Sequence, residues 1–204
     1  MNLTDIELDA LTEVFNVGVG QAADALSQLA GSPVRLNVPR VAMISKQGIS
    51  DELTAQGTER ICAVRQEFLG VLNTEAVLMF PVQQSLQLVQ MMVGGDIPLE
   101  QLGEMEQEAM AEIGNILLNS VVSGIADVLR LKFEGSMPQV EMGPVREVLC
   151  GHDQSDMQEQ VLSLQIDFAV EALEIRGYLI FLLDVESVAS LKTTVRAFLE
   201  TLSL

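Results

Sequence analysis

The chain has 204 residues, a formal net charge of −18 and 49% hydrophobic residues, with seven Phe, one Tyr and no Trp. That length suits one large domain or two small halves around an aliphatic core. The charge argues against a nucleic-acid binder, which needs clustered Lys and Arg, and against binding to an anionic membrane surface.

In chain order, Thr4 followed by Glu7 is a capping-box pattern at a helix start. Ile6, Leu8, Leu11, Val14, Phe15, Ala22, Ala25, Leu26 and Leu29 then recur mainly at three- and four-residue steps, which predicts a helix to about Ala30, stopped by Gly31-Ser32-Pro33. Gly18 and Gly20 inside it each cost about 0.5–1 kcal/mol relative to Ala, which points to close approach of another backbone, with the second motif helix described below as the candidate. Val34 to Ile44 reads as one or two strands with Pro39 at an edge or break. Ser45 to Thr58 is polar and turn-rich, and reads as a loop with at most one helical turn. Glu59–Phe68 and Val71–Phe80 read as a hairpin turned near Gly70, and Pro81 suits the first turn of a helix to about Val93.

Gly94 to Pro98 is the clearest linker, after which the order repeats. A helix over about Leu99–Leu131 precedes strand signals around Pro138–Met142. A polar loop from Pro144 to Gln158 follows, then strands at Glu159–Ala169 and Leu173–Leu183, and a closing helix from Val185 to Leu202. The expected fold is α+β: a single domain of two repeats, about 1–95 and 98–204, each helix, strand, loop, hairpin, helix. Two hairpin-bearing halves predict a mainly antiparallel sheet with the motif helices side by side on one face. Ile116–Phe133 is apolar but carries Asn119, Asp127, Arg130 and Lys132, so it reads as a buried helix and not a membrane span. Met1-Asn-Leu-Thr lacks the pattern of a signal peptide, and Cys62 and Cys150 are too few for a disulfide framework. A cytoplasmic protein with free thiols is expected.

One stretch is written twice. Asp9, Glu13, Asn16 and Pro39 follow the same spacing as Glu108, Glu112, Asn115 and Pro138, every position offset by 99 (112 − 13, 115 − 16, 138 − 39). One chance E-x-x-N-x22-P is expected about 0.02 times at this composition, so two in one register mark a duplication. Positions i and i+3 share a helix face, so each copy presents a carboxylate beside a carboxamide. The carboxylate can anchor a Lys or Arg. The carboxamide both donates and accepts, so it can hold a water while contacting a charged oxygen. Such a pair supplies no nucleophile, but it can position water against an electrophile brought by another molecule. Phosphoryl hydrolysis needs this kind of help, since positioning and charge stabilise its transition state.

The residues Glu13-Val-Phe-Asn16-Val-Gly18-Val-Gly20-Gln-Ala22-Ala23-Asp-Ala25-Leu26-Ser27 and Glu112-Ile-Gly-Asn115-Ile resemble the two signature helices of the CheC/CheX/FliY phosphatases. The family pattern is Asp or Ser, three residues, Glu, two residues, Asn, twenty-two residues, Pro. The second copy departs from it at Glu108, and Phe15 stands where Gly is common. The resemblance covers both halves and implies a phosphatase acting on the aspartyl phosphate of a CheY-like receiver domain in chemotaxis or related signalling. Glu13 or Glu112 would pair with the receiver's active-site Lys, and Asn16 or Asn115 would orient the water, as in CheC-like members with two active faces. Mg²⁺ would come with the receiver, leaving no metal site and no cofactor in this chain. A CheD-like deamidase is a further partner of CheC-like members. The alternative is a non-catalytic receiver-binding or flagellar-switch module on the same fold.

The remaining features read as structural. Pro39 and Pro138 break strands behind the motif helices, and Asp9 and Glu108 read as exposed charge one turn before each Glu. Cys150-Gly-His152-Asp153 lacks the three or four convergent ligands that zinc requires.

Overall fold

The computed structural model describes residues 3–70, 72–93, 99–150, 157–170, 173–183 and 185–202. Helix α1 (Asp5–Ala30) opens with the expected capping box: the Thr4 N–H donates to Glu7 Oε2 at 2.7 Å and the Glu7 N–H to Thr4 Oγ1 at 3.3 Å. It ends at Gly31, whose φ of 64° suits a residue without Cβ. Strand β1 (Val34–Ser45), helix α2 (Lys46–Ala55), strands β2 (Arg60–Gly70) and β3 (Thr74–Pro81), and helix α3 (Val82–Val93) complete the first half. The second half runs α4 (Leu99–Leu129), β4 (Phe133–Gly135), β5 (Gln139–Pro144), α5 (Val145–Cys150), β6 (Gln160–Val170), β7 (Leu173–Leu183) and α6 (Val185–Leu202). The joint between the halves, near residues 95–98, lies outside the described residues.

All strand pairs are antiparallel, in the order β1-β6-β7-β3-β2-β4, with β5 also on β2. The order is a palindrome: β1 matches β4 and β5, β6 matches β2, β7 matches β3. Each half therefore sends its first strand across to the other half's hairpin. Helix ends repeat too, since Arg130 (31 + 99) takes the left-handed conformation at φ 56° where α1 has Gly31.

One face of the sheet carries α1, α3, α4 and α6 over the main core, which takes alternate strand residues such as Cys62, Val64, Leu78, Leu164 and Leu179. The other face is covered as well. Ile61, Ala63, Val77, Met79, Tyr178 and Ile180 meet Ile49 and Leu53 of α2 and Val145, Val148 and Leu149 of α5. This corrects the two segments read as polar loops. Ser45 caps α2 by accepting the Gly48 N–H at 3.1 Å, and Ile49 and Leu53, four residues apart, reach the sheet. Helix α5 does the same with Val145, Val148 and Leu149; residues 151–156 of that expected loop lie outside the described ones. Two smaller boundaries also move. Thr74 starts β3, and Pro81 ends it, so α3 begins one residue later.

The motif helices pack side by side through glycine. A Cβ on Gly18 would fall 2.7 Å from Val121 Cα, and one on Gly124 would fall 2.5 Å from Gly18 Cα, so only glycine permits this crossing. Gly20 faces open space, contrary to expectation, because it lies on the solvent side of α1. Within α4, Glu106–Leu129 is long and apolar enough to cross a membrane by length and composition, but half of its most apolar window is buried within the fold.

Candidate active site

Glu13 and Asn16 sit midway along α1, where Val14, Phe15, Gly18 and Val19 turn inward. The three-residue step brings the carboxylate and carboxamide to the outer side, Glu13 exposed and Asn16 half-buried. In α4, Glu112 and Asn115 are both exposed, while Ile113, Gly114, Leu117 and Leu118 are buried. Phe15 does not crowd the first pair. It is buried and stacks on Phe181 with ring centroids 5.6 Å apart, facing the sheet. Its counterpart, Gly114, makes room for Val64, whose Cγ1 lies 2.5 Å from where a Cβ would stand. Asp9 and Glu108 are exposed one turn before each Glu.

The two prolines lie where strand pairing is interrupted. Pro39 is in a register shift of β1 against β6, between Asn37 and Arg40. There the neighbouring Val38 N–H donates to Asn16 Oδ1 at 3.3 Å, which ties the motif helix to the bulge. Pro138 stands in the gap between β4 and β5, both of which pair with β2. That gap is held by Gln66 Nε2 donating to Ser136 O at 2.8 Å and by the Ser136 N–H donating to Glu67 O at 2.8 Å. Asn115 Oδ1 accepts from Asn119 Nδ2 at 2.8 Å.

A buried carboxylate anchors each motif helix. Glu7 receives Arg196 Nε at 2.6 Å and lies 3.7 Å from Lys192 Nζ, joining α1 to α6. Burial alone would raise its pKa, but the Thr4 N–H, Arg196, the Thr4 hydroxyl and Lys192 outweigh that and hold it below the ordinary value. In α4 the matching residue is Glu106 (7 + 99), which accepts from Ser85 Oγ at 2.9 Å and so joins α4 to α3. The 99-residue register applied to Glu7 points to Glu106. No such rule points to Asn119, which has Gly20 as its counterpart. Burial, with Glu106 nearby, pushes the Cys62 thiol up to about 12 despite a hydrogen bond with Ser85, so it is a core group and not a nucleophile.

Among the described residues no three His, Cys, Asp or Glu side chains come together as a metal site; His152 and Asp153 lie outside them. The site is thus two outward Glu/Asn pairs, each able to anchor a cation and orient water, on helices packed against each other.

Residues 6–43, spanning the first Glu/Asn pair and Pro39, match the model of the CheC-like family. The chain is 29% identical over 139 residues to the CheY-P phosphatase CheC of Bacillus subtilis, across 67% of this chain and 66% of that protein. It is 28% identical over 148 residues to the flagellar motor switch phosphatase FliY of the same organism, across 72% of this chain and 38% of that one. The match thus spans just under two thirds of the first relative and well under half of the second. The crystal structure of Thermotoga maritima FliY shares the fold, with a TM-score of 0.79 over 97% of this chain and 100% of that one at 20% identity. Both motifs, the fold and these relatives agree in making the chain similar to the CheC/CheX/FliY family.

Proposed function

We propose that the protein hydrolyses the aspartyl phosphate of a CheY-like receiver domain in the cytoplasm. The observation that carries this reading is the pair of outward-facing Glu/Asn sets, Glu13/Asn16 and Glu112/Asn115, at one constant offset on adjoining helices. The relative named a CheY-P phosphatase supports the substrate class. In this scheme Glu13 or Glu112 pairs with the receiver's active-site Lys and docks the helix over the phosphoaspartate. Asn16 or Asn115 holds a water in line with phosphorus. The water adds, the bond from phosphorus to the aspartyl oxygen breaks, and inorganic phosphate and a free carboxylate result. The receiver brings its Mg²⁺, and the Asn contributes position without taking the proton.

The reading is tested by phosphate release from a phosphorylated receiver with Mg²⁺. Asn16→Ala and Asn115→Ala, singly, should rank the two faces while leaving docking largely intact. Reversing both charges, Glu13→Lys with Glu112→Lys, should instead weaken receiver binding about tenfold or more by opposing the receiver's Lys. Equal binding by the charge-reversed protein would remove the Glu residues from the docking role. A non-catalytic receiver-binding or flagellar-switch module is the second reading, favoured by Glu108, where the second copy departs from the signature pattern. It requires receiver binding without accelerated phosphate release.

A further inference from the structure

We infer that Asn119 is a positioning residue for Asn115, doing in the second copy what a backbone N–H does in the first; this rests on the phosphatase reading of the two Asn residues. In the first copy Asn16 Oδ1 accepts the Val38 N–H. A backbone N–H can only donate, so the carboxamide must turn its oxygen to the strand and its NH₂ outward. The residue at the same step from Asn115 is Met137 (38 + 99), which is 83% exposed in the gap between β4 and β5. Gln66 and Glu67 hold that gap through Ser136, and the chain there is not in the ladder.

Asn119 supplies the missing donor. Its Nδ2 lies 2.7 Å from Asn115 O and 2.8 Å from Asn115 Oδ1. Because a backbone carbonyl only accepts, the group facing it is the Asn119 NH₂, and its second hydrogen is free for Asn115 Oδ1. The Asn119 oxygen lies on the Gly135 side, 3.2 Å from where a Cβ of Gly135 would stand, so a glycine makes room for it. Asn115 therefore presents the same polarity as Asn16: oxygen held, NH₂ outward. The first copy has Gly20 at the matching position, where a Cβ would meet nothing within 4 Å. Where the strand provides the donor the side chain is absent, and where the strand is broken the side chain is present. The terminal torsion of Asn is broad, so an unheld carboxamide presents oxygen and nitrogen interchangeably. Holding it fixes which end meets the phosphoryl oxygen and the water.

The test compares Asn119→Ala and Asn119→Asp, an isostere without the N–H, in two backgrounds, using a phosphorylated CheY-like receiver with Mg²⁺. In Asn16→Ala protein, where only the second face works, each should lower kcat about tenfold with KM moving less than about twofold. In Asn115→Ala protein, where only the first face works, neither should change the rate. Equal losses in both backgrounds, or none in the first, would overturn the assignment. If the Asn16→Ala protein is inactive from the start, the side-chain ¹⁵N–¹H₂ signals decide: Asn119→Ala should move those of Asn115 and not those of Asn16. Unmoved Asn115 signals would then overturn the assignment.

Discussion

Glu7 and Glu106 show how a buried carboxylate can join helices without serving chemistry. Glu7 is held ionised by two cations of α6 and by the cap it completes, so its folded pKa lies below the ordinary 4.5. A lowered carboxylate contributes stability above its unfolded pKa and loses it as pH falls through the folded one. Glu7→Gln should therefore lower the melting temperature by about 2–4 °C at pH 7. The gap between the two proteins should close in acid below that folded pKa, as thermal melts across pH would show; a constant gap would refute the role. Cys62 should resist a thiol reagent such as dithionitrobenzoate in the native protein and react once urea unfolds it, since its thiolate is suppressed by burial. The capping half of Glu7 is visible from Thr4-x-x-Glu7. Its partners on α6 are not, because they lie 185 and 189 residues away (192 − 7, 196 − 7) and no local pattern links them.

The two long helices owe their contact to the absence of side chains at Gly18 and Gly124. Gly18→Ala should destabilise by about 1–3 kcal/mol, because the new methyl meets Val121 backbone that cannot move aside alone. Gly20→Ala should stabilise by about 0.5–1 kcal/mol, since it meets nothing and removes a helix penalty. Urea unfolding of both variants checks the pair, and the same sign for both would contradict the crossing. At this scale the 3.6-residue period makes α1 and α4 readable, and the duplicated order extends that to the strands. The short helices α2 and α5 escape such a reading. Each presents only two or three apolar residues, among polar ones and beside Gly48 or Pro144, and the second core beneath them is assembled from distant strands.

Across the whole molecule, the palindromic sheet makes the halves interdependent. β1 pairs with β6 and β2 with β4 and β5, so the edges of each half are completed by the other. Sequence spacing shows that there are two halves but not that they exchange strands, since that pairing is decided between segments from 63 residues apart (133 − 70, Gly70 with Phe133) to 136 apart (170 − 34, Val34 with Val170). The Glu/Asn pairs are legible because their spacing is doubled, and the prolines because they travel with it. What fixes each Asn is not legible, because one uses a strand N–H and the other a side chain with no counterpart. In the proposed reaction these two Asn side chains together accelerate hydrolysis of a receiver phosphoaspartate. The most direct measurement is the decay of a phosphorylated CheY-like receiver with Mg²⁺, alone, with the native protein, and with the Asn16→Ala/Asn115→Ala double variant. Decay should be faster with the native protein, by at least about tenfold over the double variant, and the double variant should still bind but leave the decay of the receiver alone unchanged. Native-like acceleration by the double variant, or none by the native protein, would contradict the proposed reaction.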